Sequence, residues 1–112
     1  MKANFDQLIA TLPRAPSEAW PAGVPFVDAL SHGTMSVEVF APNELDRQSP
    51  HAQDELYFIG RGSGTLTIDG VAHDCKAGDA LFVRAGRAHR FTNFSKDFAT
   101  WVVFWGPKGG EK

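Results

Sequence analysis

The sequence predicts an all-β domain, a small sandwich or barrel rather than a parallel sheet with crossover helices. Three observations carry this. Short apolar or alternating runs recur from Thr34 to Trp105, turn-forming residues separate them at regular intervals, and helical periodicity is confined to one stretch near the start. The chain has 112 residues and 43% hydrophobic content, enough for one core and hence one domain.

The helical stretch is Asn4 to Thr11. Asn4 suits an N-cap, and Phe5, Leu8, Ile9 and Leu12 follow at helical spacing until Pro13 stops the run. This predicts a short amphipathic helix packed on the outside of the barrel. From Pro13 to Phe26, prolines at 13, 16, 21 and 25 and a glycine at 23 exclude a regular element and predict an extended arm. Trp20 and Phe26 in that arm need cover, from this chain's barrel or from a neighbouring subunit. Residues 1–30 thus read as helix and arm, 31–106 as the barrel and 107–112 as a frayed tail.

Within the barrel, Met35, Val37 and Val39 alternate with Ser36 and Glu38, a strand with one buried face. Glu55 to Ile59 is apolar on both faces and predicts a covered central strand, with Gly60 to Gly64 as the turn after it. Thr65 to Ile68 leads through Asp69-Gly70, a type I′ hairpin signal, to Val71-Ala72-His73. Further strands are expected at Ala80 to Val83, His89 to Phe94 and Phe98 to Trp105.

A net charge of -2 with scattered Lys and Arg gives no basic stripe, so a nucleic-acid partner is not expected. No stretch has the apolar length to span a bilayer, and Met1 to Leu12 lacks the pattern of a secretion signal. A soluble cytoplasmic protein is expected. Cys75 is the single cysteine and reads as a small buried filler, its nearness to His73 being only a weak metal or redox signal.

Chemistry concentrates in two clusters, Ser49 to Glu55 and Gly86 to Asn93. His51, Glu55 and His89 offer two imidazoles and a carboxylate, good ligands for a divalent ion if the fold brings them together. His51 and Glu55, four apart, would also share one face of a helix capped by Ser49-Pro50. The strand-like Leu56 to Ile59 and the glycines after it favour a bend leading into a strand. Strand alternation then puts Glu55, Tyr57 and Ile59 on one inner face, and His89, Phe91 and Asn93 on another. The competing reading makes His51 and His89 ordinary surface or hydrogen-bonded histidines.

These clusters resemble the two motifs of the cupin superfamily. His51, Glu55 and Gly62 match the second His, the Glu and the Gly of the first motif, while Ser49 stands where its first His belongs. Gly78, Gly86, His89 and Asn93 match the second motif, with Arg84 in place of its Pro. The resemblance implies a cupin-like jelly-roll barrel, or double-stranded β-helix, carrying one divalent metal ion (Fe, Mn, Ni, Co or Zn) on His51, Glu55 and His89. With the first His absent the coordination shell should be more open, and Gln53 or Ser49 could act as a weak fourth ligand or hydrogen-bond partner. Tyr57, Phe91 and Trp101 are expected to line a pocket, and one of Arg47, Arg84, Arg87 and Arg90 could hold a substrate carboxylate at its mouth. The function implied is a metal-dependent enzyme of dioxygenase, isomerase or lyase type on a small oxygen-rich metabolite. A non-catalytic small-molecule-binding module is the alternative, and the arm together with family habit suggests a homodimer.

Overall fold

The computed structural model describes residues 1–112. One helix, α1 (Phe5–Ile9), precedes eight strands: β1 (Phe26–His32), β2 (Met35–Phe40), β3 (Asp54–Arg61), β4 (Ser63–Ile68), β5 (Val71–Lys76), β6 (Ala80–Val83), β7 (His89–Thr92) and β8 (Ala99–Trp105). They form a five-stranded sheet, β1-β2-β8-β3-β6, and a three-stranded sheet, β5-β4-β7, with antiparallel neighbours throughout. Tyr57, Ile59, Val102 and Phe104 from the first sheet and Leu66, Cys75 and Phe91 from the second make one buried cluster. The all-β jelly-roll expectation is met.

β1 is the strand that the sequence pattern concealed. A register shift between Asp28 and Leu30 breaks its pairing with β2, so its side chains never alternate cleanly and the segment read as part of the arm. The rest of the arm folds back on its own barrel. Arg14 and Val24 exchange backbone hydrogen bonds of 2.8 and 3.1 Å, and Trp20 packs edge-on against Phe26 and Phe40.

β3 and β4 were expected to meet through a glycine-rich turn of five residues. Instead both strands run on until Gly62 alone separates them, and the chain crosses there from one sheet to the other. Gly62 has φ of 72°, and a Cβ on it would collide with Ser95 Oγ and lie 3.0 Å from Phe98 Cα. Backbone strain and steric clash therefore act together. Gly62→Ala is expected to destabilise the fold by about 2 kcal/mol or more, a fall in Tm of roughly 10 °C that thermal melts followed by circular dichroism would record.

Asn4 caps α1, its Oδ1 accepting from Gln7 N at 2.9 Å. The helix lies on the outer face of the large sheet, where Phe5 stacks on Trp101 with 5.2 Å between ring centroids and Asp6 pairs with Arg61. The C-terminal segment is not frayed. Gly109 N donates to Ala52 O at 2.7 Å, Glu111 N donates to Asp54 Oδ2 at 2.9 Å, and Gly110 is buried. Asp54 also accepts from Ala85 N. Those two backbone donors, Glu111 first and then Ala85, hold the Asp54 carboxyl below its ordinary pKa. No helix is long and apolar enough to cross a membrane.

Candidate metal centre

The three predicted ligands come from three places in the chain. Glu55 is the second residue of β3, where antiparallel pairing sets it between Phe104 and Val83 and strand alternation turns it inward, so that it is 1% exposed. His89 opens β7 in the opposite sheet and is also buried. His51 sits in the bend before β3, which Gly86 N fixes by donating to His51 O at 2.7 Å. The rival helix does not form. One potential ligand atom from each of the three residues lies within 4.8 Å of the other two.

Their protonation is constrained by the surroundings. His89 Nδ1 lies 2.8 Å from Arg87 O; a carbonyl only accepts, so Nδ1 carries the proton and Nε2 faces the site. His89 Nε2 approaches Glu55 Oε1 to 2.8 Å, yet neither His89 Nε2 nor Glu55 Oε2 has a hydrogen-bond partner. At 2.8 Å Nε2 and Oε1 can share a proton in the metal-free protein, and with that proton displaced both present lone pairs in a buried place where an unmatched polar group costs about 1–3 kcal/mol. A cation held between them would satisfy both. Burial opposes charge on His89, but the Glu55 carboxylate outweighs it and raises the imidazole pKa. For His51, burial dominates and lowers the pKa, with Glu55 opposing and His89 adding to the fall, which leaves a neutral imidazole at pH 7. Neutral His and ionised Glu are the states a divalent ion requires.

Residues that the sequence analysis did not single out complete the cluster. Gln48 Oε1 lies 3.2 Å from both His51 Nε2 and the Tyr57 hydroxyl, which donates to it. Burial, reinforced by the nearby Glu55 carboxylate, pushes the Tyr57 pKa well above the usual range, so the hydroxyl keeps its proton. Asp46, 2% exposed, accepts from Gln48 Nε2 at 2.8 Å and from Phe91 N at 2.8 Å. β7 is an edge strand, and Asp46 satisfies a donor that would otherwise face no neighbour. Neither residue matches a cupin motif position, so only the fold brings them here.

The expected auxiliary residues are placed differently. Ser49 is exposed, and the Gln53 amide nitrogen donates to Thr34 O and Gly106 O, tying two turns together instead of serving the histidines. Trp101 points to the outer face beneath Phe5, because the register Ile59 to Thr100 turns Thr100, Val102 and Phe104 inward. β8 is apolar on both faces, its outer side chains Trp101, Val103 and Trp105 being half-buried with Trp101 beneath Phe5 of α1, so periodicity could not tell which face was inside. Phe91 packs in the core against Tyr57 and Phe98, and Tyr57 lies with it, reaching the site only by its hydroxyl. His32 and His73 are exposed and away from the centre, and Cys75 is buried as expected.

A cavity of about 290 Å³ opens beside His51. Trp20, Phe26, Phe40 and Phe104 supply its aromatic walls, and Glu38 on β2 its carboxyl group. Burial, with Asp28 and then Glu55 adding repulsion, raises the Glu38 pKa to about 7. No Lys or Arg lines this cavity. Arg47, Arg84 and Arg90 are exposed elsewhere, and Arg87 pairs with Asp69 at 3.2 Å.

Comparison with known proteins agrees with this architecture. Over 85 residues the chain is 35% identical to the uncharacterized protein SCO3923 of Streptomyces coelicolor, covering 74% of this chain and 81% of that one. Over 55 residues it is 36% identical to the dimethylsulfoniopropionate lyase DddW of Ruegeria pomeroyi, covering 49% of this chain but only 36% of the lyase. Protein NMB1881 of Neisseria meningitidis shares the fold with a TM-score of 0.69 at 14% identity, over 95% of this chain and 100% of that one. Residues 36–105 match the Cupin_2 family, described as the cupin domain, and with the buried cluster and both motif clusters inside that span the chain belongs to the cupin family.

Proposed function

We propose that the chain binds one divalent metal ion on His51, Glu55 and His89 and acts as a metal-dependent enzyme of lyase or isomerase type on a small oxygen-bearing metabolite. The grouping of one ligand atom each from His51, Glu55 and His89 within 4.8 Å, with Glu55 Oε2 buried and unpartnered, is the observation that carries the metal assignment. A divalent ion there would supply Lewis-acid polarisation of a substrate oxygen. The chain's own groups supply the rest. The aromatic walls exclude water and orient the substrate's carbon skeleton, and Glu38, poised near neutrality within the same cavity, can take up or return a proton.

Glu38 favours an enzyme over a passive binding module, since a ligand held only by shape and apolar contact gains nothing from a half-buried carboxyl. The cavity lining carries no Lys or Arg, so an anionic group of the substrate would be met there by the metal ion and not by a guanidinium. The likeness over 55 residues to a named lyase, of which the chain covers 36%, agrees with this direction. The test is elemental analysis of protein purified without a chelating tag, followed by incubation of the metal-loaded protein in D₂O with a panel of hydroxy- and β-substituted carboxylates. Deuterium incorporation or elimination seen by NMR supports the proposal; tight binding without exchange of any proton moves the chain to the non-catalytic class.

A further inference from the structure

The first cupin motif lacks its leading histidine here, because Ser49 holds that position and is exposed. A different side chain faces the centre. Gln48 Oε1 stands 3.2 Å from His51 Nε2, and Glu55 Oε1 stands 2.8 Å from His89 Nε2. Two donors bound at about 2.1 Å to one ion, at angles between square and tetrahedral, lie roughly 3.0–3.4 Å apart. The Gln48 to His51 spacing falls in that range, so these atoms already stand at the separation of neighbouring ligands.

The orientation of the Gln48 amide is set by chemistry. Its nitrogen donates to Asp46 Oδ2, and a carboxylate can only accept, so the amide oxygen must point the other way, toward His51 and Tyr57. Asp46 is itself fixed by Phe91 N and Gln48 N. The Tyr57 hydroxyl donates to the same oxygen at 3.2 Å, which leaves that oxygen a lone pair for a cation.

We propose that Gln48 Oε1 is the fourth protein ligand of the metal centre, oriented by Asp46, and that it takes the role of the histidine that Ser49 does not supply. The proposal rests on the reading of His51, Glu55 and His89 as metal ligands. It makes the donor set two nitrogens and two oxygens, one of them a neutral amide, which suits Mn(II), Fe(II) or Co(II) better than softer ions.

The test uses Mn(II) and Co(II) on the full chain, with Gln48→Ala and Gln48→Asn, the latter keeping the amide but withdrawing its oxygen by one methylene. Chelator competition should show affinity falling at least tenfold in both variants. Water-proton relaxation of the Mn(II) forms should count one more bound water in each variant than in the parent. Asp46→Asn, which lets the Gln48 amide turn over, should also lose affinity. Circular dichroism melts in the presence of chelator check that each variant folds, and the Gln48→Asn result decides if Gln48→Ala does not. An unchanged water count, with or without a loss of affinity, overturns the proposal, since Gln48 then acts at most through His51. A parent protein that binds neither ion overturns this proposal and the site reading together.

Discussion

Replacing His89 by Ala is expected to lower divalent metal affinity by roughly 10²-fold or more, beyond the loss from disturbing an outer hydrogen bond. The reason is geometric. His89 brings the only nitrogen from the small sheet, its Nδ1 is committed to Arg87 O, and no other side chain stands ready to replace Nε2. His51→Ala should behave similarly, whereas His32→Ala and His73→Ala, exposed elsewhere, should leave metal content unchanged. Chelator competition and elemental analysis on the four variants decide this; equal retention in all four would return the histidines to structural roles.

The same site predicts a pH dependence. The metal needs the Nε2 lone pair, and the folded protein raises the pKa of His89, so protons compete for it more strongly than for a free imidazole. Affinity should therefore rise with pH across the neutral range and level off once His89 is neutral. Stability of the metal-free protein runs the other way. The His89–Glu55 contribution is fully present below the unfolded His pKa of about 6.5 and is lost as pH rises through the higher folded value.

Glu38→Gln is expected to reduce turnover by about 10²–10⁴-fold, the range for loss of a positioned acid–base group, with metal affinity unchanged. Burial raises its pKa to about 7, with Asp28 and Glu55 contributing less, so a base at this position gives kcat/KM that climbs with pH through about 7. The amide cannot titrate. The variant should lose that limb of the profile together with the rate, and a profile that keeps its shape at a lower rate would assign Glu38 to shaping the cavity alone.

Much of this was legible because strands announce themselves where one face is polar, even in β2, whose polar face turns toward the cavity. The alternation in β2, the Asp69-Gly70 turn and the two motif clusters each point to local structure without help from the tertiary fold. The elements misread are those where a local signal was cancelled. β1 carries a bulge that scrambles its period, and β8 is apolar on both faces, so Trp101 could not be assigned a direction. The last residues look like a polar Gly-rich end, and only distant partners, the Asp54 carboxylate and the Ala52 carbonyl, fix them. Gln48, Asp46 and Glu38 were invisible as site residues for the same reason. Each is an ordinary polar residue in sequence, and its role exists only after β2, β3 and β7 have come together.

The bend bearing His51 is tied on either side by main-chain groups, Gly86 N to His51 O and Gly109 N to Ala52 O. Neither tie depends on what the tied residues carry beyond Cα. The inward-facing donors can accordingly be exchanged one at a time while the pitch of the loop persists. Under this view the barrel is an exchangeable socket, and divergence in chemistry among its relatives needs no divergence in architecture.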